Sequence, residues 1–295
     1  MGDITAAMVK ELRERTGAGM MECKKALVEA NGDMQEAEDI IAKSGHKKAA
    51  KSASRTAAEG RIAIASAANG AVVVEINCET DFVGRDESFV QFCEKVANIA
   101  LQAKPADIDA LLNHSFDAGI SVEDARKALI SRLGENIQVR RFNAVTASPS
   151  QRIGSYIHNF RIGVLVLVEG GDDALAKDLA MHIAAMKPQY VSADEVPENV
   201  VAKEKEIAME RAKQSGKPEN ILEKIVQGQV QKHLNEICLL GQGFFKDPDQ
   251  SVGALLKSAN AKVVSMIRME VGEGIEVIKK SFEEEVMAQA RGSKS

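Results

Sequence analysis

The chain has 295 residues, 45% of them apolar and 27% charged, with a net charge of −5. That composition supports two or three packed units, and its acidic balance argues against a nucleic-acid backbone as the main partner. There is no long apolar run and no basic-then-apolar leader pattern, and Cys23, Cys78, Cys93 and Cys238 form no Cys-x-x-Cys pair, so a cytoplasmic protein with buried free thiols and no membrane contact is expected.

Residues 1–45 predict a three-helix bundle. Thr5 caps the first helix, which carries Ala6, Met8, Val9 and Leu12 on one side before Gly17. Met20 to Ala30 form the second, and Asp33 with Glu36 opens the third. Residues 46–59, rich in Lys, Ala and Ser, lack a firm apolar stripe and read as a linker or a loosely docked helix. Two related α+β units follow, at 60–150 and 151–275. In the first, Asn69-Gly70 between two strand-like runs predicts a tight hairpin whose two central residues have positive φ. In the second, Val164 to Val168 is continuously apolar, as for a strand covered on both faces. An antiparallel helical hairpin at about 195–237, broken at Ser215-Gly216-Lys217-Pro218, is inserted into the second unit. Its two apolar stripes either face each other or serve docking and dimerisation. A last helix at 276–295 carries Phe282, Val286 and Ala290 opposite Glu283-Glu284-Glu285.

The two units echo each other. Arg61 corresponds to Arg152, Ala71 to Val164 and Phe92 to Leu179, offsets of 91, 93 and 87 positions. The first unit therefore holds about six extra residues between its second strand and its helix. Both units continue into a helix and a third strand, from Ser121-Val122 and from Ser251-Val252, which implies a tandem α+β core with antiparallel three-stranded sheets. The extra residues hold Thr80-Asp81-Phe82-Val83. Either Phe82 folds back over the core with Asp81 capping the next helix, or Phe82 is exposed toward a partner, with Asp86 or Ser88 free to cap. An element needed only for folding should occur in both copies, which favours exposure.

Catalytic motifs are missing. His46, His114, His158, His182 and His233 are scattered singly, no Gly-x-Ser-x-Gly elbow occurs, and no helical His pair offers metal ligands. Thr16-Gly17-Ala18-Gly19 and Gly241-Gln242-Gly243 lack phosphate-loop spacing and read as turns. No cofactor or metal is expected. Lys47, Lys48, Lys51 and Arg55 motivate one reading, a ribosome- or RNA-associated binding module.

Leu12 through Leu27, with Thr16-Gly17-Ala18-Gly19-Met20-Met21 at its centre, then Asn77-Cys78-Glu79-Thr80-Asp81-Phe82-Val83, Met181-His182-Ile183-Ala184-Ala185 and Glu270-Val271-Gly272-Glu273-Gly274-Ile275-Glu276 occur in one order over nearly the whole chain. Together they resemble the bacterial translation elongation factor Ts family, guanine-nucleotide exchange factors of elongation factor Tu. The resemblance implies a non-catalytic factor that binds Tu–GDP and promotes GDP release. It implies that Thr80, Asp81, Phe82 and Val83 press on the GTPase domain, with Phe82 entering between its helices to disturb the magnesium site and phosphate loop. It further implies that Leu12, Met20 and Met21 grip the same domain, that the second unit, including His182, faces another domain of Tu, and that the C-terminal helix touches the GTPase domain again. A homodimer or heterotetramer through the helical hairpin belongs to the same expectation.

Overall fold

The computed structural model describes residues 4–214 and 218–276. The helix expected over Ser281 to Ala290 lies outside them.

Three helices open the chain, α1 (Ala6–Thr16), α2 (Met20–Glu29) and α3 (Met34–Ser52). The Thr5 hydroxyl accepts the Met8 N–H, the Asp33 carboxylate accepts the Glu36 N–H, and Gly17 closes α1 at φ 67°. Val9, Leu12, Cys23, Ala26, Leu27, Ala37 and Ile41 form the bundle's small core. The third helix runs past residue 45 to Ser52, so that of the two alternatives for this segment, linker or docked helix, 46–52 is helix. Its inward face there is made of small residues, which is why no stripe of large apolar side chains announced it. A Cβ on Gly45 would lie 3.4 Å from that of Ser131, and Ala49 packs into the core of the first unit.

The first unit comprises β1 (Glu59–Ala67), β2 (Gly70–Cys78), α4 (Asp81–Arg85), α5 (Glu87–Ala103), α6 (Ile108–Asn113), a small hairpin of β3 (Ser115–Asp117) and β4 (Ile120–Ser121), α7 (Val122–Leu133) and β5 (Gln138–Thr146). The second runs β6 (Gln151–His158), β7 (Ile162–Glu169), α8 (Asp173–Met186), α9 (Glu198–Lys213), α10 (Glu219–Ile237), a hairpin of β8 (Gly243–Phe244) and β9 (Asp247–Ser251), α11 (Val252–Ser258) and β10 (Lys262–Glu270). The molecule is α+β, as the sequence predicts. Each unit has an antiparallel three-stranded sheet with its second strand central, ordered β1-β2-β5 and β6-β7-β10. The duplication extends to details: α5 and α8 both end at a lysine in the left-handed conformation, Lys104 at φ 50° and Lys187 at φ 49°, each followed by proline. The hydroxyls of Ser121 and Ser251 cap α7 and α11.

Four layers result. Phe89, Phe92, Val96 and Ile130 cover one face of the first sheet, and Leu179, Ile183, Leu239 and Leu256 cover one face of the second. The other two faces meet through Ile62, Val73, Val145, Leu165 and Met269. Strands β2 and β7 are accordingly buried along nearly their whole length.

The β1–β2 turn differs from expectation. Ala67 pairs with Gly70, so Ala68 and Asn69 are central, and neither has positive φ. The left-handed pair occurs instead in the β6–β7 turn, at Asn159 (φ 46°) and Phe160 (φ 51°). A bulky residue there is strained and persists only where surroundings hold it. The Phe160 carbonyl accepts the Ile62 N–H at 2.7 Å, and its ring lies 4.9 Å from the Arg61 guanidinium and 6.0 Å from that of Arg85.

Helices α9 and α10 bury Ala208, Ala212 and Val226 between them, so their stripes face each other. The base of this insertion is pinned where the Leu239 N–H donates to the Tyr190 carbonyl at 2.9 Å.

Candidate functional site

Eight residues, Glu79 to Asp86, separate β2 from α5, where the second unit uses three, Gly170 to Asp172. The added residues form α4. Thr80 is its N-cap, with the hydroxyl accepting the Val83 N–H at 3.4 Å. Asp86 caps α5 through the Ser88 and Phe89 N–H groups, and the Ser88 hydroxyl, ahead of those backbone donors, holds its carboxyl below the ordinary range. Asp81 caps neither helix. It sits in the first turn of α4, 3.4 Å from Arg85 in a solvent-exposed i,i+4 pair.

Helical geometry then sorts the side chains. Val83 is buried in the core of the first unit, and Gly84 is buried so closely that a Cβ would lie 3.4 Å from the Gly60 carbonyl oxygen. Phe82, roughly 100° round the helix, is 82% exposed. A docked helix thus presents one aromatic ring to solvent. Beneath it the Cys78 thiol, 3.1 Å from the Thr80 carbonyl, is pushed up to about 12 by burial and by the charges of Glu135, Glu59 and Asp81, so it stays a neutral, inert thiol.

The start of α4 is also held from the α7–β5 connection. The Glu79 and Thr80 N–H groups both donate to Glu135 Oε2 at 3.0 Å, and the Thr80 hydroxyl donates to Glu135 Oε1 at 2.5 Å. In return Glu79 Oε1 accepts the Asn136 N–H at 2.6 Å and an Arg55 N–H at 3.2 Å. Sequence reasoning missed Glu135. It lies 55 residues from Thr80 in an unremarkable Gly-Glu-Asn turn, and only tertiary folding brings the two together.

The other expected contact residues divide by exposure. Met20 and Met21, at the start of α2, are 55% and 68% exposed. Leu12 is fully buried in the bundle core and His182 fully buried in the second unit, so in the chain alone neither side chain reaches the surface as Met20 and Met21 do. Each lies on the inward stripe of its helix. The Phe245 N–H donates to His182 Nδ1 at 3.3 Å, so Nε2 carries the proton and donates to Gln242 Oε1 at 3.0 Å. Burial pushes the His182 pKa below its ordinary value, with Gln242 opposing. Its neighbour Phe245 is partly exposed and sits on the tip that this network holds.

The basic segment is partly neutralised: Lys48 pairs with Glu22 at 2.7 Å and Arg55 with Glu79 at 3.2 Å. That weakens the case for an RNA-directed surface. Among the described residues no cluster of His, Cys, Asp and Glu has the geometry of a metal site, and no helix is long and apolar enough to cross a membrane.

A family model described as Elongation factor TS matches residues 79–273. The chain is 54% identical to Elongation factor Ts of Thioalkalivibrio sulfidiphilus and 53% identical to that of Methylococcus capsulatus, each over 98% of this chain and 99% of the relative. It is 52% identical to that of Francisella tularensis subsp. novicida, over 99% of this chain and all of the relative. With its N-terminal bundle and duplicated core covered end to end by such relatives, the chain belongs to the elongation factor Ts family of translation proteins.

Proposed function

We propose that the protein is a guanine-nucleotide exchange factor that binds elongation factor Tu–GDP in the cytoplasm and promotes GDP release, allowing GTP to load. It makes and breaks no covalent bond. The observation that carries this reading is Phe82, exposed on a short helix whose other side is docked on the core and which the corresponding connection of the second unit lacks.

Exchange of this kind is differential binding. A factor that prefers the empty GTPase weakens nucleotide binding by the same free energy. For GDP held at nanomolar strength the free energy at stake is about 12 kcal/mol, while burying one Phe contributes roughly 1.5–3 kcal/mol. Phe82 therefore directs the effect toward the magnesium and phosphate region, and wider surfaces supply most of the binding. Met20 and Met21 are one such surface in this proposal, and the Phe245 tip held by His182 is another. Asp81 acts near the partner's magnesium site by pairing or repulsion, exchanging its Arg85 contact for groups on Tu, and is no lasting metal ligand.

The test is release of a fluorescent GDP analogue from purified Tu, followed by stopped flow with the native chain and with Phe82→Ala. The substitution is expected to remove most of the acceleration at saturating factor while weakening binding modestly. Equal acceleration by both proteins overturns the assignment of Phe82.

A further inference from the structure

We infer that Glu135 is a positioning residue for nucleotide exchange, holding α4 so that Phe82 is presented in one orientation; this rests on the exchange reading above. A five-residue helix cannot hold itself, because nucleation costs more than so few hydrogen bonds return. Its attitude is set from outside. Val83 and Gly84 fix the side facing the core, and the N-terminus is fixed by the Glu135 carboxylate, whose two oxygens take all three nearby donors: the Glu79 N–H, the Thr80 N–H and the Thr80 hydroxyl. By taking the hydroxyl proton, Glu135 leaves a Thr80 Oγ1 lone pair facing the Val83 N–H, so the cap and the clamp are one network. A carboxylate is suited to this place because the N-terminal N–H groups of a helix carry partial positive charge.

The clamp is reciprocal. Glu79, immediately before the cap, accepts the Asn136 N–H, while the Asn136 side chain donates to the Arg55 carbonyl at 2.7 Å and Arg55 donates to the Gly134 carbonyl at 3.1 Å. The turn that carries Glu135 is thereby tied down on both sides.

The second unit supplies an internal comparison. Its corresponding connection, Ala259-Asn260-Ala261 between α11 and β10, packs directly on Gly170 and Gly171 of the β7–α8 loop. There is no added helix there, and no acidic residue stands in that turn. The carboxylate accompanies the element that bears Phe82, which is what a positioning role requires and a general folding role does not.

The experiment is a double-mutant cycle on the full-length chain. GDP release from Tu is measured with the native protein, Glu135→Ala, Phe82→Ala and the double variant, alongside hydrogen exchange of the Thr80 to Gly84 amides in the factor alone. Glu135→Ala is expected to lower the maximal release rate about tenfold, with the half-saturating concentration changed by less than about twofold, and to speed amide exchange in α4. It is expected to add nothing in the Phe82→Ala background. Glu135→Gln, which retains one acceptor oxygen, is expected to fall between native and Glu135→Ala, and it carries the test should the alanine variant fail to fold. Native release rates with either Glu135 variant, an equal loss in the Phe82→Ala background, or unchanged amide exchange overturns the inference. If the native chain itself leaves GDP release unaccelerated, it is the exchange reading that fails, and the positioning role with it.

Discussion

His182 has no exposure, yet both ring nitrogens are used, Nδ1 accepting from the Phe245 backbone and Nε2 donating to Gln242. Protonation would put a hydrogen on Nδ1 against an N–H and charge a buried ring, so the folded state binds that proton more weakly than the unfolded chain does. Where the unfolded state binds more protons, stability rises with pH. The second unit is therefore expected to keep its full stability above about pH 6.5, the ordinary histidine value, and to lose it progressively as pH falls below. His182→Gln is expected to flatten that dependence, with urea midpoints measured between pH 5 and 8 as the check. The motif around His182 was legible in the sequence, but its burial was not. Met181 and His182 sit side by side on α8, and which of them points inward depends on where the sheet lies.

At the scale of elements, the close approach of the two sheets depends on Gly163 in β7. A Cβ at that position would strike the Ile62 side chain and come within 3.1 Å of Val73. Overpacking of a filled core costs typically about 1–3 kcal/mol, so Gly163→Ala is expected to lower the thermal midpoint by several degrees. Calorimetry of the variant decides this, and an unchanged midpoint would mean that the sheets can separate freely. The repeated strand–strand–helix order and the inserted helical pair were readable because hydrophobic periodicity and turn residues announce them locally. Local signals fell short in two places. The Asn-Gly signal predicted a left-handed turn at residues 69–70, but register placed Gly70 inside β2. The small-residue face of α3 at Gly45, Ala49 and Ser52 offered no large apolar stripe, so the sequence left linker and docked helix both open and the packing against α7 decides for the helix.

For the molecule as a whole, Glu75 is the tie. This fully buried carboxylate in β2 meets Arg140 at 3.0 Å, Arg141 at 2.5 Å, the Asn77 side chain at 3.0 Å and the Gly272 N–H at 2.8 Å, joining the first sheet to the segment that follows the last strand. Burial pushes its pKa up, but the Gly272 N–H, Arg141, Asn77 and Arg140 together outweigh burial and hold it below the ordinary range. Its stabilising contribution is thus present above the unfolded value near 4.5 and is lost as pH falls through the lower folded value. Removing one partner of a fully buried pair costs about 3–5 kcal/mol, and less is expected here because both arginines reach solvent. Glu75→Gln is expected to lower the urea midpoint at pH 7 and to expose residues 270–276 to proteolysis, with the difference from the native chain shrinking as pH falls through the lowered folded-state value. Nothing in the sequence pairs residue 75 with residue 272, since a contact across 197 positions leaves no periodic trace.

The left-handed Phe160 gives this arrangement a mechanical meaning. A ring driven into another protein returns an equal push into its own base, and a base that yields absorbs the stroke. The β6–β7 tip crosses to the first unit, hands its carbonyl to Ile62 and sets its aromatic face against Arg61 and Arg85, the latter at the far end of α4. In the proposed exchange role, the Arg85–Phe160 contact links the far end of the short helix to the neighbouring sheet, so that part of any recoil on the ring is shared between the two halves of the core.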